Sequence, residues 1–144
     1  MPERAVYNIL VADSDVTDLV YYEEATSRYA IAPEETPALE YTITTGMIVY
    51  SLDATEPVHH LTGPAGIAMA TVVLDMYVRT YTGVKDLAQK VRTALDGQTG
   101  THGTVDVRGI QRVNESGAIE VEISNSTQRF YLITQTFEVW YVET

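Results

Sequence analysis

The chain has 144 residues, 45% of them hydrophobic and 20% charged, which is the size and composition of one independently folding domain. It contains no cysteine, and this excludes disulfides, cysteine-ligated metal sites and thiol catalysis. Nine basic residues stand against twenty acidic ones, a net charge of −11 that makes free nucleic acid a poor partner.

The charge is unevenly distributed. Residues 1–60 carry two basic and eleven acidic residues, whereas residues 61–113 carry six basic and four acidic ones. The simpler interpretation is solubility, and the alternative is that identical subunits set an acidic face against a basic one. No apolar run approaches the ~18 residues of a membrane span, and the N-terminus lacks the pattern of a signal peptide. We therefore expect a soluble protein made in a cytoplasm, with no membrane partner.

The first 38 residues predict a short helix followed by an irregular segment. Val6, Ile9 and Leu10 have helical spacing within 3–12, and Ser14 is the expected N-cap of one further turn. Residues 21–37 show no clear period, and a short strand is expected around residues 29–31.

A β-hairpin is predicted next. Residues 39–50 alternate with period 2, with Met47 and Val49 on the apolar face and a bend at Gly46. Residues 51–66 contain several prolines and glycines and are expected to form a loop. Residues 68–78 alternate again, which predicts a second long strand antiparallel to the first.

The strongest helical pattern covers residues 84–95, with an apolar stripe of Val84, Leu87, Ala88, Val91 and Leu95. The expected N-cap is Thr82, and Asp96-Gly97 ends the helix because glycine readily adopts the left-handed conformation. The outer face of this helix is basic: Lys85, Lys90 and Arg92.

The rest of the chain predicts three extended stretches. Residues 104–113 form a strand with a β-bulge at Gly109, residues 114–117 have turn chemistry, and residues 119–123 and 130–142 alternate again. The predicted fold is therefore α+β. It is a single domain with a β-β-α-β-β core over residues 39–144, built as a mainly antiparallel sheet of two hairpins. The long helix between the hairpins packs on one face.

Candidate chemistry is sparse. His59 and His60 lie close in sequence to Asp53 and Glu56, but adjacent histidines usually point apart, which disfavours a metal site. The sequence contains no phosphate-binding glycine loop and no nucleophile elbow. We therefore expect no catalysis, metal or cofactor. A small metal-assisted enzyme using the two histidines is the weaker alternative.

Aromatic residues offer a different kind of site. Tyr81 and Trp140 lie in or beside predicted strands, where a large ring with a polar group suits either a half-buried sheet face or a subunit interface. The sequence leaves both interpretations open.

Several stretches, taken in order, resemble the tail-completion (head–tail joining, tail-terminator) proteins of long-tailed bacteriophages. The resemblance rests on a strand ending in Asp75-x-Tyr77 with Tyr81 after it, and on the helix pattern Ala88-x-x-Val91-Arg92-x-Ala94-Leu95-Asp96-Gly97. The start of the chain (Ala12-Asp13-Ser14-Asp15, then Leu19-Val20), Arg28-Tyr29 followed by Pro37, and the ending Phe137-Glu138-Val139-Trp140-Tyr141 are also similar. Residues 51–66 lie outside it.

The resemblance implies a structural virion protein at the head-proximal end of the tail. Such proteins form a homo-oligomeric ring, typically a hexamer, that caps the tail tube protein and joins it to the head–tail connector protein. No cofactor and no catalysis are implied. Another tail or connector component on the same architecture is the alternative. The candidate subunit, tube or connector contacts are Asp53, Glu56, His59, His60, Tyr81, Lys85, Lys90, Arg92 and Trp140.

Overall fold

A computed structural model describes residues 2–20, 22–23, 28–29, 31–33, 46–60, 63–122 and 129–142. Within them three helices and nine strands follow in the order α1 (Pro2–Ala12), α2 (Ser14–Thr17), β1 (Tyr22–Glu23), β2 (Arg28–Tyr29), β3 (Ile31–Pro33), β4 (Gly46–His60), β5 (Gly63–Val78), α3 (Tyr81–Leu95), β6 (Gly100–His102), β7 (Val105–Glu115), β8 (Ile119–Glu122) and β9 (Arg129–Val142). The fold is α+β with a mainly antiparallel sheet, as the sequence predicts.

The main sheet has the order β3-β4-β5-β9-β7-β6, with β8 also paired to β9. β1 and β2 form a separate small antiparallel pair, and β3 runs parallel to β4. The short strands β2 and β3 flank the position where a strand was predicted around residues 29–31. The predicted strand residues 39–45 lie outside the described residues.

The long hairpin corrects the expected loop. β4 and β5 pair continuously from Gly46 opposite Val78 to His60 opposite Gly63, so the predicted loop at residues 51–66 is wrong. The paired strands contain two register shifts instead, between Leu52 and Ala54 and between Val58 and His59. The residues skipped at the second shift include Gly66, whose φ is +73°. Beyond Tyr50, no described strand pairs with the outer side of β4, where a proline is tolerated.

The predicted turn at residues 114–117 is also wrong. β7 and β8 lie along the same side of β9 and run in the same direction, so the chain continues here without reversing. Ser116 keeps the ladder joined, because its backbone N–H donates to the Thr134 carbonyl and its hydroxyl accepts from the Thr134 N–H, both at 2.9 Å. The bulge predicted at Gly109 is confirmed by a register shift between Val107 and Gly109.

One face of the sheet carries the helices and the core. The alternation on β5 and β9 is confirmed, because the even residues from Val72 to Val78 and the odd residues from Ile133 to Val139 are buried. The phase predicted for β4 is wrong. Ile48 and Tyr50 join the core cluster, and Met47, although buried, lies in register with Tyr77 on the opposite face.

The long helix forms as predicted along its apolar stripe, all of which is buried. Its start is different, because Thr80 rather than Thr82 is the N-cap: the Thr80 hydroxyl accepts from Gly83 N at 3.0 Å. The end at Gly97 is confirmed, with a φ of +81°. At the shorter helix, Asp13 rather than Ser14 is the N-cap, and its carboxylate accepts from the N–H groups of Asp15 and Val16.

Within the described residues, no helix has the length and apolar character needed to cross a membrane.

Candidate functional site

A small polar depression lies where one flank of α3 meets the sheet. Its volume is about 130 Å³, and it is lined by α3, β7 and β9 through Lys85, Ala88, Gln89, Arg92, Arg112, Glu115 and Ile133. We call this site, defined by those seven residues, the basic depression. Three of the nine basic residues of this acidic protein converge there, which makes it locally positive.

Gln135 lies beneath the basic depression and is fully buried. Its side-chain N–H group donates to the Ala88 carbonyl at 3.0 Å and to the Glu115 carboxylate, and Arg112 Nη1 lies 3.2 Å from the same carboxylate. Its amide oxygen is buried and has no hydrogen-bond partner among the described residues. Sequence reasoning missed this residue, although its signal is visible: Gln135 is the polar member among the odd-numbered, inward-facing positions from Ile133 to Val139, which are otherwise apolar.

Two tyrosines lie beside the basic depression. Tyr81 is 50% exposed, and its ring meets that of Tyr131 edge-on with 5.9 Å between centroids. Lys85 Nζ lies 5.5 Å from the centroid of the Tyr81 ring. Exposed tyrosines beside basic side chains are common at protein–protein interfaces, where the ring becomes buried against the partner.

The electrostatics leave two of the basic groups available. Within the described residues the ion pairs are Arg108 with Asp106 and Arg112 with Glu115. Lys85 and Arg92 therefore have no carboxylate partner in the part of the chain that the structure describes. The one carboxylate in the basic depression, Glu115, is already held by Arg112 and Gln135.

The structure brings together only some of the residues that the sequence singles out. Lys85 and Arg92 line the basic depression and Tyr81 contacts Lys85, but Lys90 is not part of the lining. Trp140 lies next to the buried Val139 on β9 and so faces the other side of the sheet, in register with Met69 and Gly109.

The other predicted residues lie on β4, away from the basic depression. Asp53 is exposed at the first register shift, and Glu56 pairs with Met69 in backbone register. His59 and His60 are the last residues of the strand, opposite Pro64 and Gly63. Searched over the described residues alone, the protein holds no group of three histidine or acidic side chains placed to bind a metal ion.

Among the residues that the structure describes, the group with a clear pKa shift lies away from the basic depression, where α1 packs on β4. Burial raises the pKa of the Tyr50 hydroxyl above its ordinary value of 10.0, and nearby Arg4 partly opposes this. The Tyr50 ring lies 6.0 Å from that of Tyr7, which Arg4 covers at 5.2 Å. This tyrosine belongs to the packing of the N-terminal helix. The basic depression itself offers binding groups, namely ammonium and guanidinium donors.

The fold has a counterpart among solved structures. A chain of the structure described as the virion of a native gene transfer agent particle matches it with a TM-score of 0.67. The match covers 95% of this chain and 91% of that one, and 17% of the aligned residues are identical. At this identity the likeness concerns the fold. No protein-family model matches the sequence, and neither does any curated protein.

Proposed function

We propose that this protein is a structural component of a phage-like virion, and that it acts there as a tail-completion, or tail-terminator, subunit. The observation that carries the proposal is the fold shared over 95% of the chain with a chain from a gene transfer agent virion. The resemblance of short sequence stretches to tail-completion proteins supports the finer assignment.

The structure gives most residues of the helix motif a packing role. Val91, Ala94 and Leu95 are buried against the sheet. The next two positions join the helix to β7, because Asp96 Oδ1 accepts from a backbone N–H of that strand at 3.4 Å and Gly97 N donates to its Ile110 carbonyl at 2.8 Å. The presence of these residues in the motif is therefore explained by the packing of the fold.

Arg92 is the exception in the motif. It is exposed, it has no carboxylate partner among the described residues, and it lines the basic depression. A charged side chain in a motif that otherwise serves packing favours a role in contact with a partner.

The proposed assembly is a head-to-tail ring, typically of six copies, at the head-proximal end of the tail. A closed ring requires that one face of each subunit meets a different face of the next, and this protein has faces of unlike charge. One side of the ring would contact the tail tube protein and the other the head–tail connector protein. This role needs no cofactor and no catalysis.

Addition of the purified protein to tail tubes tests the proposal. We expect electron microscopy to show a ring at one end of each tube, and tubes capped in this way to stop growing when tube protein is added. Tubes incubated with an unrelated acidic protein of similar size serve as the control. A protein that stays monomeric at its solubility limit and leaves tube growth unchanged would contradict the assignment. Binding along the tube wall or only to the connector would favour another tail or connector component.

A further inference from the structure

The basic depression has the composition of a site for a carboxylate. Lys85 and Arg92 extend from the same flank of α3, since residues separated by seven positions lie nearly above one another on a helix. Arg112 approaches from β7, so donors come from two elements around a space of about 130 Å³. Lys85 and Arg92, which lack a carboxylate partner among the described residues, are available to bind a carboxylate of another molecule.

A second copy of this chain is the acidic partner that the protein itself supplies. Acidic residues outnumber basic ones by twenty to nine, and the excess is greatest in residues 1–60. Among the described residues of that part, Asp15 in α2 and Asp18 at the C-terminal end of α2 are exposed, and their carboxylates make no hydrogen bond or ion pair within the described chain. Asp13 is not assigned to the contact, because its carboxylate is already used as the N-cap of α2.

The two surfaces lie on opposite flanks of α3. α2 packs against α3 on the side of β4, where the Leu19 backbone oxygen and the Leu87 side chain both lie close to Gly46. The basic depression lies on the side of β7 and β9. Contact between them joins different faces of neighbouring copies, which is the heterologous contact that a ring requires.

We propose that the basic depression binds the carboxylates of Asp15 and Asp18 from the next copy, with Tyr81 at the edge of the contact. The inference rests on the proposed ring and names the residues that join its subunits. The contact is partly exposed, so salt weakens it.

Charge reversal on each surface tests the contact by sedimentation of the full chain. K85E/R92E and D15K/D18K should each raise the dissociation constant about 10- to 100-fold. Exposed charge pairs contribute little singly, but each reversal places like charges opposite one another, and these repel. An equimolar mixture of the two variants should associate again as an alternating ring. A chain that carries all four changes should associate alone. K90E reverses one charge on α3 outside the basic depression, which is half the change made in K85E/R92E, and should behave as the unchanged protein.

The outcomes separate this inference from the proposed function. If the unchanged protein forms rings and K85E/R92E forms them equally well, the basic depression is not the contact while the ring stands. If K85E/R92E dissociates but neither the mixture nor the fourfold variant recovers, Asp15 and Asp18 are not the partner, and another acidic surface or another acidic protein occupies the site. If the unchanged protein neither associates nor caps tubes, the proposed function itself fails. Circular dichroism of each variant checks that it remains folded.

Discussion

Replacement of Gln135 by leucine should leave the stability of the protein nearly unchanged, although the residue is fully buried. Gln135→Leu removes two hydrogen bonds, one to the Ala88 carbonyl and one to the Glu115 carboxylate. These contribute about 1 kcal/mol and about 1.5–3 kcal/mol respectively, the second being larger because the acceptor is charged. Neither partner is left unsatisfied. The Ala88 carbonyl keeps its helical bond from Arg92 N, and Glu115 keeps Arg112 and water.

The same replacement also removes a cost. The Gln135 amide oxygen is buried without a partner among the described residues, and such a group costs about 1–3 kcal/mol. Leucine at this position adds apolar burial of about 2 kcal/mol beside Ile133 and Phe137, both of which are buried. Losses and gains nearly cancel, and we expect a free energy of unfolding within about 1 kcal/mol of the unchanged protein.

Urea unfolding at pH 7, followed by the fluorescence of the single tryptophan Trp140, measures the difference. Gln135→Ala is the matched control. It loses the same hydrogen bonds and leaves a cavity, and it should cost about 2–4 kcal/mol. If Gln135→Leu is as destabilising as Gln135→Ala, the amide oxygen is satisfied in the folded protein and the reasoning is refuted.

Three further predictions concern the fold. Thr80→Ala should lower the free energy of unfolding by about 1 kcal/mol because it removes the N-cap of α3, whereas Thr82→Ala should change it little, and equal losses in urea unfolding would contradict this. Gly46→Ala should cost about 1–3 kcal/mol, because its Cβ would lie 2.5 Å from a backbone oxygen; Gly109→Ala, with nothing within 4 Å, should cost clearly less on thermal unfolding. The raised pKa of Tyr50 stabilises the folded state fully below pH 10.0, and this contribution is lost as the pH rises through the higher folded pKa. Above pH 10.0 the free energy of unfolding of Tyr50→Phe should therefore fall less steeply with pH than that of the unchanged protein. Identical pH profiles of the two proteins would exclude the effect.

The parts of the fold that followed from the sequence are those with a strong period. The stripe of α3 and the alternation of β5 identify their buried faces without ambiguity, because one periodicity fits and the others do not. The β-bulge at Gly109 was also predicted correctly, since the apolar phase of the strand changes there.

Turn signals misled in two places for the same physical reason. Proline and glycine in residues 51–66, and Asn114 to Gly117, indicate that the backbone departs from a regular strand, but they do not say whether the chain reverses there or at which residue. In the structure the first set is divided between the two strands of the β4–β5 hairpin, which stay paired as far as His60 and Gly63, and the second set joins two strands along one side of β9. Only the pairing partner decides between these outcomes, and pairing is not local in sequence.

The basic depression was predicted only in part. Helical spacing identifies Lys85 and Arg92 as surface residues, but Arg112 and Glu115 come from a strand some twenty residues away and depend on how α3 crosses the sheet. Gln135 was missed because one polar residue does not disturb an apolar alternation. The proposed interface roles of Asp53, Glu56, His59, His60, Lys90 and Trp140 stay predictions.

Antibody-labelled electron microscopy of intact particles tests the central claim most directly. Particles should be purified from cells that make this protein from its own gene. The account predicts label at a single position on each particle, the junction between head and tail. Particles made without the protein are the control and should carry no label at that position. Particles that carry no label, or label distributed over heads or along tails, would contradict the assignment as a tail-completion subunit.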